Sequence, residues 1–166
     1  MIIVFTTFVI SFLLDGVFSN VITIHNNMLI PLLSVMSLII IYPYFKKDDI
    51  KYLEYIFIYG LIYDLVYTDT LILNAIVFTF IGLIIIGINI IISNNYLNIS
   101  LIAFLVIISY RIITYFILVF TKYLEFDFAV LLKGITSSLL LNIIYAILLY
   151  LFTDIISNRF DIKKYD

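Results

Sequence analysis

Residues 71–92 read LILNAIVFTFIGLIIIGINIII, a run of 22 residues without one charge. A helix rises about 1.5 Å per residue, so this run covers about 33 Å, which matches the hydrocarbon core of a bilayer. Strict apolar/polar alternation, the mark of a membrane β-barrel strand, is missing; isoleucine and leucine occupy every face. The run therefore reads as a transmembrane helix. It ends at Ser93-Asn94-Asn95, and its neighbours in both directions repeat the pattern.

The whole chain agrees with this segment. Of 166 residues, 65% are hydrophobic and 12% are charged, with a mean hydropathy of +1.25. Nine basic and eleven acidic side chains cannot clothe a soluble domain of this size, which rules out that class. Disorder needs the opposite composition. There is no cysteine, so neither a disulfide framework nor a thiolate metal site is possible, and His25 alone cannot build a multi-histidine zinc site. A net charge of −2 offers no basic surface for nucleic acid. The N-terminal run lacks a positive leader and a small-residue cleavage site, so it reads as a retained first span.

Six spans are expected, at about 2–24, 28–45, 52–68, 71–92, 98–121 and 128–152, with 153–166 as a tail. The fold class is an all-α polytopic bundle in one membrane domain. Pro31 and Pro43 fall near the ends of the second span, where the helical ladder is spared. Lys46, Lys47, Lys51, Arg159, Lys163 and Lys164 fall on one side, while only Lys122 falls in a loop on the other. The positive-inside rule then places both termini in the cytoplasm.

Four charges fall within the spans: Asp15, Asp64, Arg111 and Lys133. Counted along their helices they share one layer in the outer half of the bilayer. Intramembrane charges are expensive unless they face protein or water, so a compensated cluster of these four is expected, with Lys133 the member best placed to snorkel. It would serve as helix-to-helix glue, or as an ion path or ligand site. Polar residues extend the pattern. Thr7, Ser11, Asp15 and Ser19 share one helix face, Gly60, Asp64 and Thr68 another, and Tyr55, Tyr59, Tyr63 and Tyr67 the adjacent row. Gly134, Ser138, Asn142 and Ala146 form a small-residue row suited to close helix packing.

Motifs for zinc-dependent hydrolysis, nucleotide phosphate binding and a serine nucleophile are absent, and the only adjacent acidic pair, Asp48-Asp49, sits among lysines. No catalytic residue, metal or cofactor is expected, and the chain reads as a non-enzyme.

The segment from Tyr59 through Thr68 to Ala75 is more specific. It carries Gly60, Leu61 and Asp64 as a G-L-x-x-D core, then Leu71, Asn74 and Ala75 as a restart. This pattern resembles the rod shape-determining MreD family. Ile56 and Ile72 stand where that family often has glycine, which reduces the close backbone approach expected there. The resemblance implies structural roles for Gly60, Leu61, Asp64 and Asn74, and a fold similar to the substrate-binding subunits of energy-coupling-factor transporters. It also implies a scaffold of the bacterial cell-elongation machinery in the cytoplasmic membrane, supporting peptidoglycan synthesis and cell shape. Its partners would be an MreC-type membrane protein, a RodA-type glycosyltransferase with its transpeptidase, and actin-like MreB. The alternative is a substrate-binding membrane subunit of a vitamin or metabolite transporter. Such subunits usually carry an A-x-x-x-A motif in the first span, and the first span here has no alanine.

Overall fold

The computed structural model describes residues 2–25, 30–45, 48–68, 70, 72–93, 95 and 98–160. They form six α-helices: α1 (Ile2–His25), α2 (Leu33–Ile41), α3 (Asp49–Tyr67), α4 (Leu73–Ile91), α5 (Ile99–Phe120) and α6 (Phe128–Arg159). A single 3-10 turn, Tyr42–Tyr44, continues α2. No strand occurs among the described residues. Helices α1, α4, α5 and α6 are long and apolar enough to cross a membrane, so the chain has the architecture of a helical membrane bundle. Helix α3 is as long as α4, but Asp49, Lys51, Glu54 and Asp64 interrupt its apolar surface.

Side-chain contacts fix the relative directions of the helices. Phe8 stacks on Tyr59, and Phe12 meets Tyr67 further along, so α1 and α3 run parallel. Ile30 and Leu32 meet Ser137 and Asn142, while Tyr44 meets Ser157, so α2 and α6 run parallel. Asp64 meets Asn74 across α3 and α4, and Arg111 meets Ser138 across α5 and α6, so those neighbours are antiparallel.

Helix α2 is the core. Each of its nine residues is buried, and Met36, Leu38, Ile39 and Ile41 are wholly inaccessible. Buried residues of α1, α3, α4, α5 and α6 surround it. The outer faces carry large exposed apolar side chains such as Leu65, Ile90, Leu101 and Leu140. In water that surface would be a liability; in a bilayer it is ordinary.

Two expected boundaries need correction. The second span was expected over 28–45, but its helix is only about 14 Å long at the usual rise. Pro31 is the physical reason. It has no N–H and disfavours helical geometry at Ile30, so the helix begins only at Leu33. The tail from 153 is also helical as far as Arg159. There Thr153 and Ser157 are buried and prolong the small, polar stripe of α6, and Ser157 Oγ lies 2.6 Å from Tyr44 Oη. Residues Lys46 and Lys47, Leu71 of the restart, and 161–166 lie outside the described residues.

The antiparallel α3–α4 pair owes its closeness to two glycines on opposite helices. A Cβ on Gly60 would sit 2.5 Å from Ala75 Cα, so only glycine admits the α4 backbone there. One end of the pair is therefore glycine on α3 against alanine on α4. At the other end the roles reverse: a Cβ on Gly82 would meet Ile56 Cδ1 at 2.9 Å and Leu53 Cδ2 at 3.0 Å. Ile56 is thus accommodated by a glycine across the interface.

Candidate functional site

An α-helix leaves its first N–H groups without internal partners, and inside a membrane no bulk water supplies them. Helix α4 solves this with Asp64 of the preceding helix. The carboxylate Oδ2 accepts the backbone N–H of Asn74 at 2.9 Å and of Ala75 at 3.2 Å. Oδ1 accepts Asn74 Nδ2 at 2.8 Å, Thr68 Oγ1 at 2.9 Å and Thr70 Oγ1 at 3.1 Å. Two backbone amides and the Asn74 side chain donate to this one carboxyl group, and the Thr68 and Thr70 hydroxyls share their single protons between it and each other. The positive end of the α4 dipole adds to the attraction. Asp64 is 1% exposed. Gly60, one turn earlier, lets the α4 terminus come within reach. Gly60, Asp64, Asn74 and Ala75 therefore form one junction. Leu61 is half-buried next to Gly60 and takes no polar part in it.

Asp15 does the same for α2. Its Oδ1 accepts the N–H of Leu33 and its Oδ2 that of Ser34, both at 3.2 Å. Tyr63 Oη reaches Oδ2 at 3.5 Å. Asp15 is 2% exposed, and Thr7 and Ser11 are buried on the same face, as the four-residue spacing predicts. Ser11 Oγ lies 2.7 Å from Tyr145 Oη, which ties α1 to α6.

The tyrosine row of α3 faces α1. Tyr59 Oη donates to the Phe8 carbonyl and Tyr67 Oη to the Phe12 carbonyl, at 3.3 and 2.8 Å. Phe12 packs its ring against Tyr59, Tyr63 and Tyr67. Tyr67 Oη also lies against Gly16, where a Cβ would collide with it.

Between α1 and α2 the backbone of Ile30-Pro31-Leu32 is not helical. Asp15 lies about 20 Å along α1 from its start, so the Leu33 terminus that it caps lies at that depth too. Irregular backbone at such depth persists only where protein satisfies it. Asn142 of α6 supplies the partners: its Oδ1 accepts Leu32 N–H at 2.7 Å, and its Nδ2 donates to the Ile30 carbonyl at 2.9 Å. Ile30 N–H donates to the Ser137 carbonyl at 3.2 Å. Composition and spacing marked Asn142 only as a member of a small-residue row. Its role as a clamp on unwound backbone depends on a contact 110 residues away in sequence.

The four intramembrane charges do not pair with one another. Both aspartates spend their oxygens on helix termini. Arg111 Nε donates to Ser138 Oγ at 2.7 Å, and Ser138 Oγ in turn donates to the Gly134 carbonyl at 2.7 Å. Lys133 is exposed on α6. The compensation expected from opposite charges comes instead from backbone amides, because a helix N-terminus offers a carboxyl group several donors at short range. No group of acidic residues and histidines that could hold a metal ion occurs among the described residues.

On the outer face of the bundle, α1 and α3 line an apolar groove of about 430 Å³. Phe5, Phe8 and Phe12 form one wall, and Tyr55, Tyr59 and Ile62 the other. No protein-family model, no curated protein and no solved structure matches the chain.

Proposed function

We propose that this chain is a non-enzymatic scaffold subunit of a bacterial cell-elongation complex, resembling the MreD family. It would lie in the cytoplasmic membrane with both termini inside, crossing six times. The observation that carries the reading is the Gly60–Asp64–Asn74–Ala75 junction: the residues that bear the resemblance meet at one point. They work there as a static clamp between helices. A scaffold must hold helix faces in fixed relation, and a capped, close-packed hairpin does so.

The partner surface in this reading is the α1–α3 groove. Its walls are largely aromatic and apolar, the kind of surface on which a transmembrane helix packs. The proposed occupant is the single span of an MreC-type protein, with the RodA-type glycosyltransferase, its transpeptidase and MreB joined through that partner. A fold similar to the substrate-binding subunits of energy-coupling-factor transporters is part of the same proposal.

The test is purification of the full chain from its own membranes in mild detergent, with mass spectrometry of what accompanies it. Recovery of an MreC-type protein, lost on Ile62→Glu in the groove wall, supports the reading. Recovery of an energy-coupling ATPase module or a bound vitamin overturns it.

A further inference from the structure

Helix capping accounts for Asp15 and Asp64, and Lys133 is exposed; Arg111 is neither a cap nor exposed. Its Nε is held by Ser138, but its Nη2 is buried and has no hydrogen-bond partner. A guanidinium carries five donors and a permanent charge, so a buried nitrogen without an acceptor is costly. The arm lies across Gly134, where a Cβ would stand 3.9 Å from Arg111 Cδ, in ordinary contact.

Arg111 also lines a pocket of about 210 Å³ between α5 and α6. A water takes roughly 30 Å³ in the liquid, so the space suits a small polyatomic group rather than one water. Ile30 of the unwound segment, Thr114 and Gly134 line it beside Arg111. Leu118 and Leu124 extend it toward the Thr121–Asp127 connection. One end is cationic and the rest is apolar. The hydroxyl of Tyr115 is already engaged with the Asp127 backbone, and that of Thr114 with the Tyr110 carbonyl. Among the described residues, Arg111 is the only charged one lining the pocket.

We infer that this pocket binds a phosphate-type oxyanion through the Arg111 guanidinium, with the apolar wall against the part of the ligand that bears it. Arginine's planar fork suits the oxygens of a phosphate, and in a low-dielectric site that pairing is strong. The phosphate could belong to a lipid headgroup drawn below the outer interface or to a soluble ion. The inference stands apart from the scaffold reading, since it uses no partner protein.

The experiment measures binding to the full chain in neutral detergent by thermal shift and isothermal calorimetry. The probes are dihexanoyl phosphatidic acid, inorganic phosphate, and dihexanoylglycerol as a phosphate-free control. The expected result is saturable binding of a phosphate-bearing probe and none of dihexanoylglycerol. Phosphatidic acid alone binding identifies a lipid source, and inorganic phosphate binding equally well identifies a soluble one. Arg111→Met should weaken binding at least about tenfold. Val130→Trp, which fills the pocket from an exposed position without touching the charge, should do the same and guards against misfolding of the first variant. Lys133→Met should leave binding unchanged. No binding of either phosphate probe, or binding that survives both pocket variants, overturns the inference.

Discussion

Replacing Asp64 by alanine should be among the most damaging single changes in the chain. The substitution removes the acceptor for two buried backbone amides, Asn74 N–H and Ala75 N–H, and for the Asn74 side chain. Thr68 and Thr70 lose less, because their hydroxyls also bond each other, at 2.9 Å. A buried donor stripped of its partner costs about 1–3 kcal/mol, so the two amides alone amount to about 2–6 kcal/mol. Asp64→Asn keeps one acceptor oxygen and should lose roughly half as much. The assay is reversible unfolding of the full chain in mixed micelles by titration with dodecyl sulfate. Gly87→Ala is the control, since nothing lies within 4 Å of a Cβ there. Hydrogen exchange at the Asn74 and Ala75 amides should quicken in Asp64→Ala before exchange elsewhere in α4. If Asp64→Ala unfolds within about 0.5 kcal/mol of wild type, the capping argument is wrong.

The two glycines of the α3–α4 interface should behave differently. Gly60→Ala drives a methyl into the backbone of Ala75 and should cost about 1–3 kcal/mol or more, whereas Gly82→Ala meets only the movable ends of Ile56 and Leu53 and should cost less than 1 kcal/mol, roughly; the same unfolding titration ranks them. Asn142→Leu strips partners from Leu32 N–H and the Ile30 carbonyl, so a loss of about 2–5 kcal/mol is expected, with faster proteolysis in the segment before α2 as a second readout. Lys122 has a φ of 58° and closes α5 with the paired bonds Lys122 N–H to Val119 O and Tyr123 N–H to Leu118 O. Glycine suits that position, so Lys122→Gly should raise stability by up to about 1 kcal/mol, seen as a higher unfolding midpoint.

Much of the architecture is legible in residue order alone. Long apolar runs located α1, α4, α5 and α6 within two residues at most ends, because the bilayer sets span length with little dependence on side-chain detail. The four-residue spacing of Thr7, Ser11 and Asp15, and of Ser138, Asn142 and Ala146, located the buried faces of α1 and α6. What spacing could not supply was the identity of each partner. Asp15 and Asp64 invited pairing with Arg111 and Lys133, since opposite charges at one depth are visible in a sequence and unsatisfied amides are not. The amides appear only once it is known that α2 starts at Leu33 and α4 at Leu73. Pro31 was the available signal for the first of these. It keeps Ile30 out of the helix, and α2 starts five residues into the expected span. Ile56 in place of a family glycine was read as a loss of closeness, but Gly82 on the facing helix restores it.

The measurement that bears most directly on the scaffold reading is in-cell photo-crosslinking from the α1–α3 groove. A photoreactive residue at Ile62 or Val9 in the groove, and at Ile90 as an exposed control on α4, samples two parts of the apolar surface. The account predicts adducts with the span of one MreC-type protein from Ile62 and Val9 and none from Ile90. Adducts from the groove to lipid alone, or the same protein adducts from all three positions, would contradict it.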